Sequence, residues 1–191
     1  MGLNGLLACI SADWSPTIGD PTLTGWVTAV AYLAASCLSS IVAYHHSGKL
    51  RLFWMGLFVV LLLLAVNKQL DLQSALTAAG RCAAKAQGWY ENRRSVQIAF
   101  ILAILVICGV VAAGLLWLMR REVSLVWPAL IGIVSLLAFI AIRAAGFHHF
   151  DQFIGFEVGG ARMNTFLELG GISMIAVNAF SLLWLKRETE R

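Results

Sequence analysis

The stretch Leu61-Leu62-Leu63-Leu64-Ala65-Val66-Asn67-Lys68-Gln69-Leu70-Asp71-Leu72-Gln73 decides the fold. A run of six apolar residues passes without a break into amide and charged side chains. Ionisable groups at the end of a membrane span either anchor it at the headgroups or belong to a site. The rest of the chain has the composition of a membrane protein. Of its 191 residues 60% are hydrophobic and 13% charged, with a mean hydropathy of +0.81. A soluble domain carries about 25% charged residues. The formal charge of +4 is modest, and Lys and Arg cluster at span ends, which suits membrane orientation and not nucleic-acid binding. No internal repeat and no long linker divides the chain, so residues 1–191 are expected to form a single transmembrane domain.

Outward from that stretch, hydropathy places five spans, at about 26–44, 50–67, 96–119, 125–145 and 164–185. Nothing alternates as barrel strands would, so the fold class expected is an all-α integral membrane helix bundle. The first span is rich in Ala and Ser, which let helices approach closely in lipid, and should pack inside the bundle. Pro128 is expected in the first turn of the fourth span, where a missing N–H costs least. Residues 72–89 put Leu72, Leu76, Ala79, Ala83 and Ala86 at helical spacing with Arg81, Lys85 and Gln87 between them, the pattern of an interfacial amphipathic helix. Residues 1–25 read as a polar-to-mixed segment punctuated by Pro16, Gly19, Pro21 and Gly25, with Thr22 or Thr24 as candidate caps for the first span. They have no basic secretory n-region, and Leu6 breaks the myristoylation pattern, so the first span is expected to serve as an uncleaved targeting signal. The seven Trp residues read mostly as an aromatic belt.

Short basic ends set the expected orientation. Lys49, Arg51, Arg120, Arg121, Lys186, Arg187 and Arg191 fall on one side of a five-span chain. The other side carries as many (68, 81, 85, 93, 94, 143, 162), but spread through longer loops of mixed charge. The tight clustering favours an outer N-terminus and a cytoplasmic C-terminus. Cys9 and Cys82 would then share the oxidising side, where they could pair.

With that topology one face collects the unusual side chains. Asn67, Lys68 and Asp71 end the second span, Arg93 and Arg94 precede the third, and Arg143, His148, His149 and Asp151 follow the fourth. Asn164 and Glu168 open the fifth. Asn164, Glu168, Gly171, Ile175 and Asn178 are spaced 4, 3, 4, 3, a seam that should face the bundle, where the Glu168 carboxylate should meet Arg143, Lys68 or a metal. His148, His149 and Asp151 offer a mixed N/O set for zinc or iron. Against this, adjacent histidines diverge by about 100° on a helix, and a hydrogen-bonded interfacial pair is the plainer reading. Asp71 and Glu168 could act as acid and base on a lipid-borne substrate. The structural alternative is an Asp71–Arg143 or a Glu168–Lys68 ion pair. Arg93-Arg94 can meet lipid phosphate or simply flank a span. His45-His46 has no second His at its depth to complete a haem site, and Gly155, Gly159 and Gly160 lack the context of a nucleotide loop.

At Asn67–Gln73, at Gly88–Gln97 and at Phe147-His148-His149-Phe150-Asp151, the chain resembles a group of bacterial multi-spanning proteins with NKQLDLQ, GWY..RR..Q and FHH.D patches. That resemblance implies a bacterial inner-membrane location and carries no activity. In site style the chain is similar to the alkaline ceramidase-like membrane hydrolases, which set His, Asp and Ser at helix ends around zinc. It has five spans where they have seven, and lacks their paired His spacing. The expected function is therefore a binding or accessory subunit of a membrane complex, embedded in the lipid bilayer with membrane-protein partners or as a homo-oligomer. The alternative is a metal-dependent hydrolase of a lipid-like substrate. A carrier is weaker, since there is no inverted repeat.

Overall fold

A computed structural model describes residues 3–15, 18–70, 72–88, 93–145, 157–158 and 161–189, and the chain is all-α. In chain order the helices are α1 (Leu3–Asp13), α2 (Leu23–His45), α3 (Gly48–Leu70), α4 (Leu72–Gln87), α5 (Arg93–Met119), α6 (Val123–Ala145) and α7 (Met163–Thr189). Two two-residue strands, β1 (Glu157–Val158) and β2 (Ala161–Arg162), pair antiparallel just before α7. Among the described residues, five helices are long and apolar enough to cross a membrane: α2, α3, α5, α6 and α7.

Their order in space follows from which faces are small or apolar. One face of α2 buries Gly25, Thr28, Ala29, Tyr32, Ala35, Ser36, Ser39, Val42 and Ala43. These recur at three- and four-residue steps, and most are small, so α3 and α7 both pack closely against α2. As expected, the first span is internal. The hydroxyls on this face are satisfied locally: Thr28 Oγ1 donates to Thr24 O, Ser39 Oγ to Ala35 O and Ser36 Oγ across to Phe58 O of α3. Phe53, Trp54, Leu57 and Leu61 of α3 fill the centre with Ile133 and Leu136 of α6 and Ile172 and Ile175 of α7.

The crossing of α6 and α7 is set by two glycines. A Cβ on Gly132 would lie 2.5 Å from Gly171 O and 2.8 Å from Ile175 Cγ1, and one on Gly171 would lie 2.8 Å from Leu136 Cγ. Further along the seam, Asn178 Nδ2 donates to Leu125 O (2.9 Å) and Ala129 N donates to Asn178 Oδ1 (3.4 Å). Leu125 and Ala129 are i and i+4, the partners of one helical hydrogen bond, and Pro128 lies between them. Because α6 starts at Val123 and not at residue 125, Pro128 falls in its second turn, not the first. A proline there disturbs the ladder, and the Asn178 amide supplies both a donor and an acceptor beside it.

One helix adds to those expected, and one tryptophan departs from the belt. Residues 3–13 of the N-terminal segment are helical, as α1. Trp54 is not part of an interfacial belt: it is fully buried, its Nε1–H has no partner among the described residues, and its ring meets Phe53 edge-on.

α5 stands apart. Residues 101–118 contain no buried side chain, although the helix is among the most apolar of the chain. It packs mainly on α6 and only lightly on α3.

Candidate functional site

The polar end of α3 is where the described charges meet. Helix propensity carries α3 through Asn67, Lys68 and Gln69, one turn beyond its leucine run, because Lys and Gln are good helix formers and nothing interrupts them before Leu70. That extra turn turns Lys68 inward. Its Nζ lies 2.6 Å from Glu168 Oε2 of α7 and 3.7 Å from Asp20 Oδ2. The Lys68 and Glu168 side chains are only 8% and 6% exposed. A charge in such a place must be paired, and of the partners considered for Glu168 the structure selects Lys68.

The segment before α2 is fastened to the same turn. Gly19 N donates to Gln69 O at 2.7 Å, and Gln69 Nε2 reaches Gly25 O at 3.5 Å. Thr22 caps α2 by accepting from Gly25 N at 3.1 Å, while its own hydroxyl donates to Asp20 Oδ1 at 2.5 Å. Gly25 is required here, since a Cβ would collide with the carboxyl and carbonyl of Asp20. Asp20 thus supports the cap of α2 on one side and Lys68 on the other. Gln69 Oε1 is buried and has no hydrogen-bond partner among the described residues, and Asn67 is half-buried.

Beside this junction α1 lies on α4. The disulfide Cys9–Cys82 joins them, with Cys82 fully buried, and Arg81 Nη1 lies 3.5 Å from Asp13 Oδ2 at the surface. The pairing left open to Cys9 and Cys82 is thus present. The bond closes a loop with a sequence separation of 73 and fixes α1 next to the polar end of the bundle.

The seam on α7 is as its spacing predicts: Glu168, Gly171, Ile175 and Asn178 are all buried. The other expected site residues divide in two. Arg93 and Arg94 open α5, Arg143 lies in the last turns of α6 and Asn164 in the first turn of α7, but their side chains are outside the described part. Asp71, His148, His149 and Asp151 lie outside the described residues altogether. Among the described residues no group of three or more His, Cys, Asp or Glu side chains is placed to hold a metal ion. The chain matches no protein-family model, no curated protein and no solved structure.

What can this arrangement do chemically? Lys68 Nζ donates to Glu168 Oε2 at 2.6 Å, so one carboxylate oxygen is held by the buried ammonium. As it stands the pair is a neutral clamp that ties α3 to α7, with Asp20 linking the clamp to the cap of α2. Sequence reasoning missed three elements of this region: Asp20, the helix α1, and the Gly132–Gly171 crossing. Asp20 sits in a loop whose pairing depends on the fold, and a glycine in an apolar span shows only a missing side chain.

Proposed function

We propose that this protein is a binding or accessory subunit of a bacterial inner-membrane complex, with α5 as its docking span. The observation that carries this reading is the absence of any buried side chain over residues 101–118 of a helix that spans the membrane. The other four spans supply nearly all of one core, to which α5 adds Met119 at its end, whereas along its length α5 leaves Leu102, Leu105, Val106, Val110 and Val111 uncovered. Gly109 is open as well, with nothing within 4 Å of a Cβ placed on it. Gly109 and Ala113, four apart on that open side, form a small-xxx-small pair of the kind that lets a second helix approach. The polar junction at the end of α3 supports the same reading, because its described charges are used on each other. Nothing among the described residues favours the hydrolase reading over this one.

The disulfide supports one orientation in the membrane. Disulfides persist in oxidising compartments. Cys9–Cys82 therefore favours an outer position for α1, α4 and the Lys68–Glu168 clamp, and a cytoplasmic position for the ends of α2 and α7. The short basic clusters at 49–51, 120–121 and 186–187 agree with this by the positive-inside rule.

The test is photo-crosslinking in native membranes. A photoreactive residue at Val110 or Val106 should give one discrete adduct with another membrane protein. The same residue at Val30 of α2, equally exposed, should give none. Smears of lipid adducts from both sites would refute the docking role, and an adduct made only of two copies of this chain would replace the subunit reading with a homo-oligomer.

A further inference from the structure

The ends of α2 and α7 opposite the clamp meet at a contact that the subunit reading does not use. Lys186 Nζ lies 3.1 Å from Nδ1 of His45, the last residue of α2. Since the ammonium can only donate, Nδ1 accepts, and the ring keeps its N–H on Nε2. The contact therefore gathers donors: an ammonium and an imidazole N–H, from helices 141 positions apart in sequence. Both helices end here, so their carbonyl ends favour the positive charge that collects.

Alongside runs an apolar ledge. Val177, Phe180, Trp184 and Arg187 follow one another at i, i+3, i+7 and i+10, one face of α7. Val177, Phe180 and Trp184 are 65%, 59% and 53% exposed, and the two rings lie 6.2 Å apart, tilted. Arg187, itself exposed and with no ion pair among the described residues, heads this strip next to Lys186. Lys186 and Glu188 flank Arg187 at about 100° on either side, and Lys186 is the one on the α2 side, where it meets His45. Tyr44 packs edge-on against His45 and is largely exposed on the α2 side.

A long apolar strip ending in clustered donors has the shape and polarity of a phospholipid with a negative headgroup. We propose that this corner binds the phosphate of an anionic phospholipid through Arg187, Lys186 and His45, with an acyl chain lying along Val177, Phe180 and Trp184. It is a specific seat and not the general attraction of basic span ends to the leaflet. That distinction is what the test must decide.

The full chain, purified in a mild detergent, is titrated with phosphatidylglycerol or phosphatidylcholine, and bound lipid is counted by native mass spectrometry. Phosphatidylglycerol should be retained as one tight copy and phosphatidylcholine released. Each of Lys186→Gln and Arg187→Gln should weaken retention about fivefold, and both together roughly 25-fold. Arg120→Gln/Arg121→Gln, which removes the same charge from the same face, should leave it unchanged. Equal retention of the two lipids would overturn the proposal. So would an equal loss in the control, which would mean diffuse charge alone, or full displacement by millimolar inorganic phosphate, which would mean a free-anion site. Arg187 is exposed, so its variant should fold. If the double variant does not, Arg187→Gln set against the control decides the matter.

Discussion

Replacing Lys68 by Met should be the most damaging single change at the clamp. Lys68 and Glu168 are 8% and 6% exposed, so water screens their attraction little. Removing the ammonium leaves Glu168 as an uncompensated buried carboxylate, which costs about 3–5 kcal/mol. It also releases Asp20, which is one-third exposed and adds less. Glu168→Gln is milder: the amide still offers an acceptor and Lys68 keeps Asp20, so the loss should be about 1–3 kcal/mol. For a chain of this size each kcal/mol shifts Tm by about 2–4 °C, giving a fall of roughly 6–20 °C for Lys68→Met. The double variant Lys68→Met/Glu168→Gln removes both charges and should be more stable than Lys68→Met alone, with a coupling of about 1–3 kcal/mol. The assay is the fraction of protein still monodisperse after heating in one detergent, checked by tryptophan fluorescence. A Lys68→Met protein within about 1 kcal/mol of wild type, or a double variant worse than the single one, would refute the buried clamp.

Other changes probe the packing. In the same assay Gly132→Ala, which drives a Cβ to 2.5 Å from Gly171 O, should cost about 1–3 kcal/mol. Gly109→Ala on α5, with open space around it, should be neutral or stabilising by up to about 1 kcal/mol. Asn178→Leu removes both bonds to Leu125 and Ala129 beside Pro128 and should cost about 1–3 kcal/mol, whereas Ser40→Ala, whose hydroxyl bonds only its own helix, should cost almost nothing. Cys9→Ser should slow the protein on non-reducing gels and lower its stability by up to about 4 kcal/mol for a loop of this length.

Much of this was legible because lipid makes the rules simple. A span must be apolar for its whole length, so hydropathy located all five, and the helices differ from the expected limits by at most four residues, mostly where polar residues simply continue the turn. The seam on α7 was legible too, since Glu168 and Asn178 share one face with Gly171 and a carboxylate in that position must look inward. Spacing along one helix cannot say which neighbour it looks at. Lys68, Arg143 and a metal were equivalent partners for Glu168 until the rotation of α3 was known. α1 stayed hidden because a helix of 11 residues held by a disulfide needs neither span length nor strong amphipathic spacing. Pro128 was placed one turn too early because the start of α6 was read from its apolar residues, while Val123 and Ser124 already belong to the helix.

We propose that the clamp, α1 and α4 form the outer end of the five-span bundle. It is tested most directly on intact cells with Cys37→Ala/Cys108→Ala protein, in which only Cys9 and Cys82 remain. A membrane-impermeant alkylating reagent should add nothing at first, and should label Cys9 after treatment with an impermeant reductant. Labelling that appears only once the inner membrane is permeabilised would place these helices in the cytoplasm and contradict the account.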